Sequence, residues 1–324
     1  MLNEVWPFVE AHHGAGERVV LARLVDRDGP GSRPLGATMA VAVNGDWTGS
    51  VSGGCVEGIL LSAAREVLDG EPPHLTTVRP GDELLPWEPA PACSSALRIL
   101  ITPAPRGEVA VRIGQALTRG TALTVGCELE SPHRWSTDPA TLYGPLFVEE
   151  LTPRPRLVLI GATDLAAVTA AMARPLGRRV LVLDPRPDYA RPERVPHAEV
   201  VMAWPQRWLA ANPLTAADAV LVISHDPRID DPAIRAALTG AAGYVGALGS
   251  RATHEARLRR LAPVRDERLA GPAGLDLGGA SLAETALSMI AEIVAVVHGR
   301  PGGRLRDSRS PIRQTLRTAA RYTT

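Results

Sequence analysis

Apolar residues follow two periods along this chain. From residue 156 onward, short apolar runs, "RLVLIG", "RRVLVLD", "AEVVMAW", "DAVLVIS" and "GYVGALG", alternate with stretches whose apolar positions lie three and four apart. Unbroken short runs fit strands buried on both faces, and the longer spacing fits one face of a helix. Strands alternating with helices predict a parallel, doubly wound sheet, with ligands beyond the carboxyl ends of its strands. The first helix of this half is expected from about Asp164 to Arg174. The last long helix opens with "SLAE", in which Ser281 caps the start and Glu284 reaches back. It runs to about His298 with apolar residues around most of its circumference, and so is expected to be a buried packing helix.

Before residue 150 the pattern is mixed. "RVVLARLVDR" and "GATMAVAVNGDWTGSVSGG" predict strands, the second with an "NGD" hairpin signal, and "LRILIT" and "TALTVGCEL" predict later strands of the same mixed α/β domain. After Cys55, residues Val56, Ile59, Leu60, Ala63, Ala64 and Val67 share one helical face, and Gly70 ends the helix. Prolines 153 and 155 place a linker near 150–155. The expected organisation is an N-terminal mixed α/β domain, 1–150, a doubly wound C-terminal domain, 156–300, and a tail, 301–324. That tail carries six arginines against one aspartate. It reads as solvated or loosely docked, with a partner-docking arm as the alternative.

Charge narrows the partners. Thirty-five basic residues balance thirty-five acidic ones among 324, so no net field favours nucleic acid or an anionic membrane. The start, "MLNEVWPFVEAHHGAGERVV", has no secretory pattern, and the apolar stretch "ALSMIAEIVAVVHG" is short and contains Glu292. A cytoplasmic protein without membrane or nucleic-acid partners is expected. The chain contains no lysine, so all thirty-five basic residues are arginine, which excludes Schiff-base, P-loop-lysine and lysine-base chemistry. Codon bias in a GC-rich genome explains that absence and the abundance of Ala, Gly and Pro.

Cys55, Cys93 and Cys127 are odd in number and widely spaced, which argues against disulfides or a zinc knuckle and for free thiols. Cys55 follows Ser52, Gly53 and Gly54 and is expected in the first turn of its helix. Unpaired N–H groups there would bind an anion or favour a thiolate. The alternative is a small buried cysteine beside a tight turn, and Glu57 reads as an N3 capping residue. Cys93 precedes a strand in a small-residue loop and is a second candidate thiol. Cys127 reads as packing.

"GATDLAAV" after the first strand of the second half, with Asp184 ending the next, has a Rossmann outline without its full glycine set. Gly161 remains. Thr163 stands where a glycine would admit a pyrophosphate, and Asp164 is expected to cap the helix and repel phosphate, so NAD(P) is disfavoured. Asp184 is the candidate ribose ligand or a strand-end turn. "SHD", with His225 and Asp226, and "GSR", Gly249, Ser250 and Arg251, end later strands and should face the same crevice. Arg251 is the better anion contact, and each of the two stretches reads equally well as a cap and a turn.

"GSVSGGCVEG", "LDPRPDYARPERVPHAE", "VISHDPRIDDPAIRAAL", "YVGALGSRATHEARLRRL" and "GPAGLDLGGASLAETALSMIAEIVAVVHG" together resemble the XdhC/CoxI family of molybdenum-hydroxylase maturation factors. The resemblance runs from about Leu21 to Gly299. It implies an N-terminal domain bearing the cysteine motif and a C-terminal Rossmann-like domain, often as a homodimer. It also implies a carrier that binds molybdenum cofactor, supports its sulfuration by a cysteine desulfurase and hands it to a xanthine dehydrogenase-like client. Cys55 and Cys93 would then contact molybdenum or its sulfur. The chain departs from the family's G-A-G-H and G-C-G-G patterns at residues 161–164 and 92–95. An NAD(P)-dependent oxidoreductase and a cysteine-based sulfur-transfer enzyme are the alternatives.

Overall fold

The computed structural model describes residues 1–29, 33–79, 95–263, 266–309 and 321–323. It divides into two units, Met1–Pro153 with Thr315–Thr324, and Arg154–Gln314.

The first unit begins with α1 (Leu2–Gly14), β1 (Val19–Arg27), β2 (Thr38–Ala42) and β3 (Trp47–Gly49). The "NGD" signal makes the β2–β3 hairpin: Gly45 takes φ +93, and the Asp46 N–H donates to the Asn44 side chain at 2.9 Å. Then come α2 (Glu57–Asp69), β4 (His74–Val78), β5 (Leu97–Pro103) and α3 (Gly107–Arg119). The antiparallel sheet has the order β3-β2-β1-β5-β4. Its central strand β1 is covered on both faces, and six of its nine residues are apolar. Val20, Ala22 and Leu24 cluster with Leu60, Ala64 and Val67 of α2, while Val19 and Leu21 cluster with Val5, Trp6 and Val9 of α1 and Ile113 of α3. Fully burying a side chain such as Leu60 contributes about 2 kcal/mol.

A second antiparallel sheet pairs β6 (Leu123–Glu128) with β7 (Trp135–Ser136) and β8 (Leu146–Leu151). Arg23 of β1 joins the two sheets. Its buried guanidinium pairs with Glu149, donates to Thr38 Oγ1 at 3.4 Å, and lies 5.0 and 4.9 Å from the Trp135 and Phe147 ring centroids. A buried cation is tolerated only when paired and hydrogen-bonded in this way.

The second unit runs β9 (Arg156–Ile160), α4 (Asp164–Ala173), β10 (Arg179–Leu183), β11 (Glu199–Val201), α5 (Pro205–Ala211), β12 (Ala219–Val222), α6 (Pro227–Thr239), β13 (Tyr244–Ala247), α7 (Arg251–Leu261), β14 (Leu269–Ala270) and α8 (Leu282–Val297). All pairs are parallel, in the order β11-β10-β9-β12-β13-β14. Alternate residues of β9 face opposite layers: Leu157 and Leu159 cluster with Ala166, Ala170, Met289 and Ile293, and Val158 and Ile160 with Leu209, Ile229 and Ile234. The strand order reverses at β9, which opens a crevice beyond the carboxyl ends of β9 and β12.

One expectation needs correction. Helix α8 is buried only along Ala286, Met289, Ile290, Ile293 and Ala295, whereas Leu287, Val294 and Val297 are exposed. Its apolar residues exceed what one sheet face covers. Of the two readings of the tail, solvated or loosely docked, its end follows the second: a last strand, β15 (Arg321–Thr323), pairs antiparallel with β8 of the first unit. Among the described residues no helix is long and apolar enough to cross a membrane.

Candidate functional site

The loop before α2 is built around a carboxylate. Glu57 accepts backbone N–H bonds from Val51, Ser52, Gly53, Gly54 and Val56 and hydroxyl bonds from Ser50 and Ser52, at 2.7–3.2 Å. Such wrapping needs φ of +92 at Gly53 and +120 at Gly54, a region that glycine enters without a Cβ penalty. Burial alone would raise the Glu57 pKa, but bonds from Ser50, Ser52 and Val56 hold it at about 2. Helix α2 begins at Glu57 with Val56 as N-cap, so Glu57 is not an N3 residue and Cys55 lies before the first turn. The donors expected for an external anion or for the thiolate are instead taken by the protein's own carboxylate. The Cys55 N–H donates to Ser52 Oγ at 2.9 Å, and its thiol is exposed.

The other thiols differ. Cys127 is fully buried, its Sγ contacts the Glu128 and His133 carbonyls, and burial pushes it up to about 12, which fits packing. Cys93 lies outside the described residues. Among the described residues no group of three or more His, Cys, Asp or Glu side chains could hold a metal ion.

In the second unit, a crevice of about 490 Å³ opens at the strand ends. Thr163, Asp164 and Leu165 form one side, His225, Leu248 and Gly249 another, and Leu282 and Thr285 of α8 the third. Gly161, at φ +109, lets β9 and β12 converge, since a Cβ there would lie 2.6 Å from Ser224 Cα. Thr163 rather than Asp164 caps α4, through Oγ1 accepting from the Ala166 N–H, and Asp164 pairs outward with Arg194 at 2.9 Å.

Other candidates serve the frame. Asp184 is completely buried and accepts from the Ala162 N–H and from Arg186 N, Nε and Nη2, at 2.8–3.0 Å. Burial opposes ionisation, yet these bonds keep its carboxyl below the usual range. A ribose could reach it only by displacing Arg186, which also stacks 3.7 Å from the Tyr189 centroid. Asp226 caps α6 and Ser250 caps α7. Arg251 is exposed in the first turn of α7 and does not itself line the crevice. The structure thus gathers His225 and Gly249 at the cleft, with Gly161 shaping it.

Asp230 and Arg257, both buried beneath these loops, went unnoticed in the sequence. Their helical spacing resembles that of ordinary surface charges.

Fold and sites define a class: an α/β protein with a thiol-bearing glycine loop in one unit and a Rossmann-like crevice in the other. The XdhC Rossmann domain matches residues 157–293, and the XdhC and CoxI family matches residues 12–79. The chain belongs to the XdhC/CoxI family. It is 28% identical to a probable xanthine dehydrogenase subunit from Bacillus subtilis, over 86% of this chain and 93% of that protein. It is 27% identical to the molybdenum cofactor insertion chaperone PaoD of Escherichia coli, over 87% and 84%. A crystal structure of a xanthine dehydrogenase from Bacillus halodurans shares the fold, with a TM-score of 0.78, 22% identity, and coverage of 94% of this chain and 98% of that one.

Proposed function

We propose that this protein is a cytoplasmic accessory factor that binds molybdenum cofactor as cargo, supports its sulfuration and delivers it to a xanthine dehydrogenase-like molybdenum hydroxylase. One observation carries this reading: the similarity to a molybdenum cofactor insertion chaperone spans 87% of the chain, and the family match at 12–79 contains the loop that exposes Cys55. An exposed thiol on a rigid loop suits a soft metal or a transferable sulfur. Cys55 is assigned to the molybdenum centre, with Cys93 as second thiol. The crevice of the second unit is assigned separately as a cofactor site, with Arg251 on the helix start beside Gly249. A cysteine desulfurase supplies the sulfur, the protein works as a homodimer, and no step requires turnover of its own.

The test is reconstitution. A hydroxylase client produced without this chain should contain little sulfurated cofactor and regain activity when the purified, cofactor-loaded protein is added anaerobically. Equal client activity with and without the protein would overturn the proposal.

A further inference from the structure

Two buried ionisable side chains link the walls of the second unit's crevice. On one wall, His225 holds φ +60, a left-handed conformation uncommon for a non-glycine residue. It is flanked by Ser224, whose Oγ donates to Asp230 Oδ1 at 2.5 Å and accepts from the Asp226 N–H at 3.2 Å. On the other wall, the carbonyl of Leu248, next to Gly249, accepts from Arg257 Nη2 at 3.0 Å. Asp230 and Arg257 face each other beneath, 3.9 Å apart at Oδ2 and Nη2 and only 2% and 3% exposed.

This pair is a poor device for stability alone. Burial raises the Asp230 pKa and lowers that of Arg257, so each charge is held against its solvation preference. The separation is long, and among the described residues Arg257 Nε and Nη1 have no hydrogen-bond partner. Buried pairs with incomplete hydrogen bonding are commonly no more stable than apolar residues of similar volume. Nor is the pair needed to join its helices, because Asp231 of α6 and Arg260 of α7 already pair at 2.6 Å nearer the surface. What the inner pair adds is a continuous connection, Ser224–Asp230–Arg257–Leu248, between the two loops facing the cleft.

We propose that Asp230 and Arg257 are positioning residues that set the spacing of His225 against Gly249, and with it the fit of the crevice to the cargo. Neither side chain touches the cargo. The inference rests on the crevice being a cofactor site, as proposed above.

The experiment uses the full-length protein, titrated anaerobically with molybdenum cofactor released from a purified molybdenum hydroxylase. Binding is measured well below the lowest melting temperature in the series. Asp230→Asn and Arg257→Met should each weaken binding at least tenfold. Arg257→Lys, which can still donate to the Leu248 carbonyl, should recover most of the affinity. Asp231→Asn, which breaks only the outer pair, should bind like the parent. His225→Ala tests the crevice separately. If it loses affinity while Asp230→Asn and Arg257→Met stay within twofold of the parent, the positioning role is overturned and the crevice reading survives. If His225→Ala also binds like the parent, the crevice reading fails and the inference fails with it.

Discussion

Glu57 shows how one carboxylate can organise a loop that looks, in sequence, like an empty anion site. Removing it leaves the Val51, Ser52 and Gly54 N–H groups without their acceptor, while Gly53 and Val56 keep the Ser50 and Ser52 hydroxyls, and an unsatisfied buried donor costs about 1–3 kcal/mol. Glu57→Ala should therefore destabilise the first unit by at least about 2 kcal/mol in urea unfolding and speed amide exchange at residues 51–54. Unchanged exchange would mean that the loop does not depend on this carboxylate. Gly161→Ala should be harsher than an ordinary glycine substitution, on the order of 3 kcal/mol, since it adds a Cβ at φ +109 against the Ser224 backbone. Arg251→Ala should weaken cofactor binding by about 1.5–3 kcal/mol if its guanidinium meets an ionised group, with little change in melting temperature. Unaltered affinity would leave Arg251 a solvent-facing residue of the α7 start. NADH should bind poorly, because Thr163 narrows the phosphate approach and Asp184 is already engaged. A micromolar dissociation constant by calorimetry would contradict that.

At the scale of elements, the strands and the start of α8 were legible, while the caps of α2 and α4 were misread by one or two residues. Gly53, Gly54 and Gly70 take the positive φ values that their places imply, and Ser281 and Glu284 form the expected capping box. What local spacing could not reveal was where side chains find distant partners. Glu57 has capping composition, but the chain wraps back over it instead. Asp230 and Arg257 carry the spacing of surface charges and are buried because α6 and α7 meet there. Acid sensitivity offers a test at this scale. The Arg134 guanidinium, with the backbone N–H groups of Tyr143 and Arg134, holds Glu128 at about 2, against 4.5 for the unperturbed group. The folded value is depressed, so this contribution is complete above about pH 4.5 and is lost as pH falls toward 2. The parent's urea midpoint should thus fall more steeply across that window than that of Glu128→Gln. Equal slopes would show that the β6 carboxylate is not coupled to folding.

For the whole molecule, the parallel doubly wound sheet followed from apolar runs alternating with helical stretches, and the family from motifs spread over most of the chain. The remainder depends on contacts between distant segments: β15 returning to β8, and α8 exposing one apolar side because a single sheet face covers the other. The central claim is that the exposed Cys55 thiol itself, not merely its loop, retains or sulfurates the molybdenum centre. Serine nearly preserves the volume at Cys55 and removes the soft donor. The direct measurement is molybdenum and pterin content, with client activation, for anaerobically purified parent, Cys55→Ser and Cys127→Ser proteins. Cys55→Ser should fold normally and lose cofactor or fail to activate the client, while Cys127→Ser, altered only in the buried core, should match the parent. A Cys55→Ser protein that carries and delivers sulfurated cofactor as well as the parent would contradict the account.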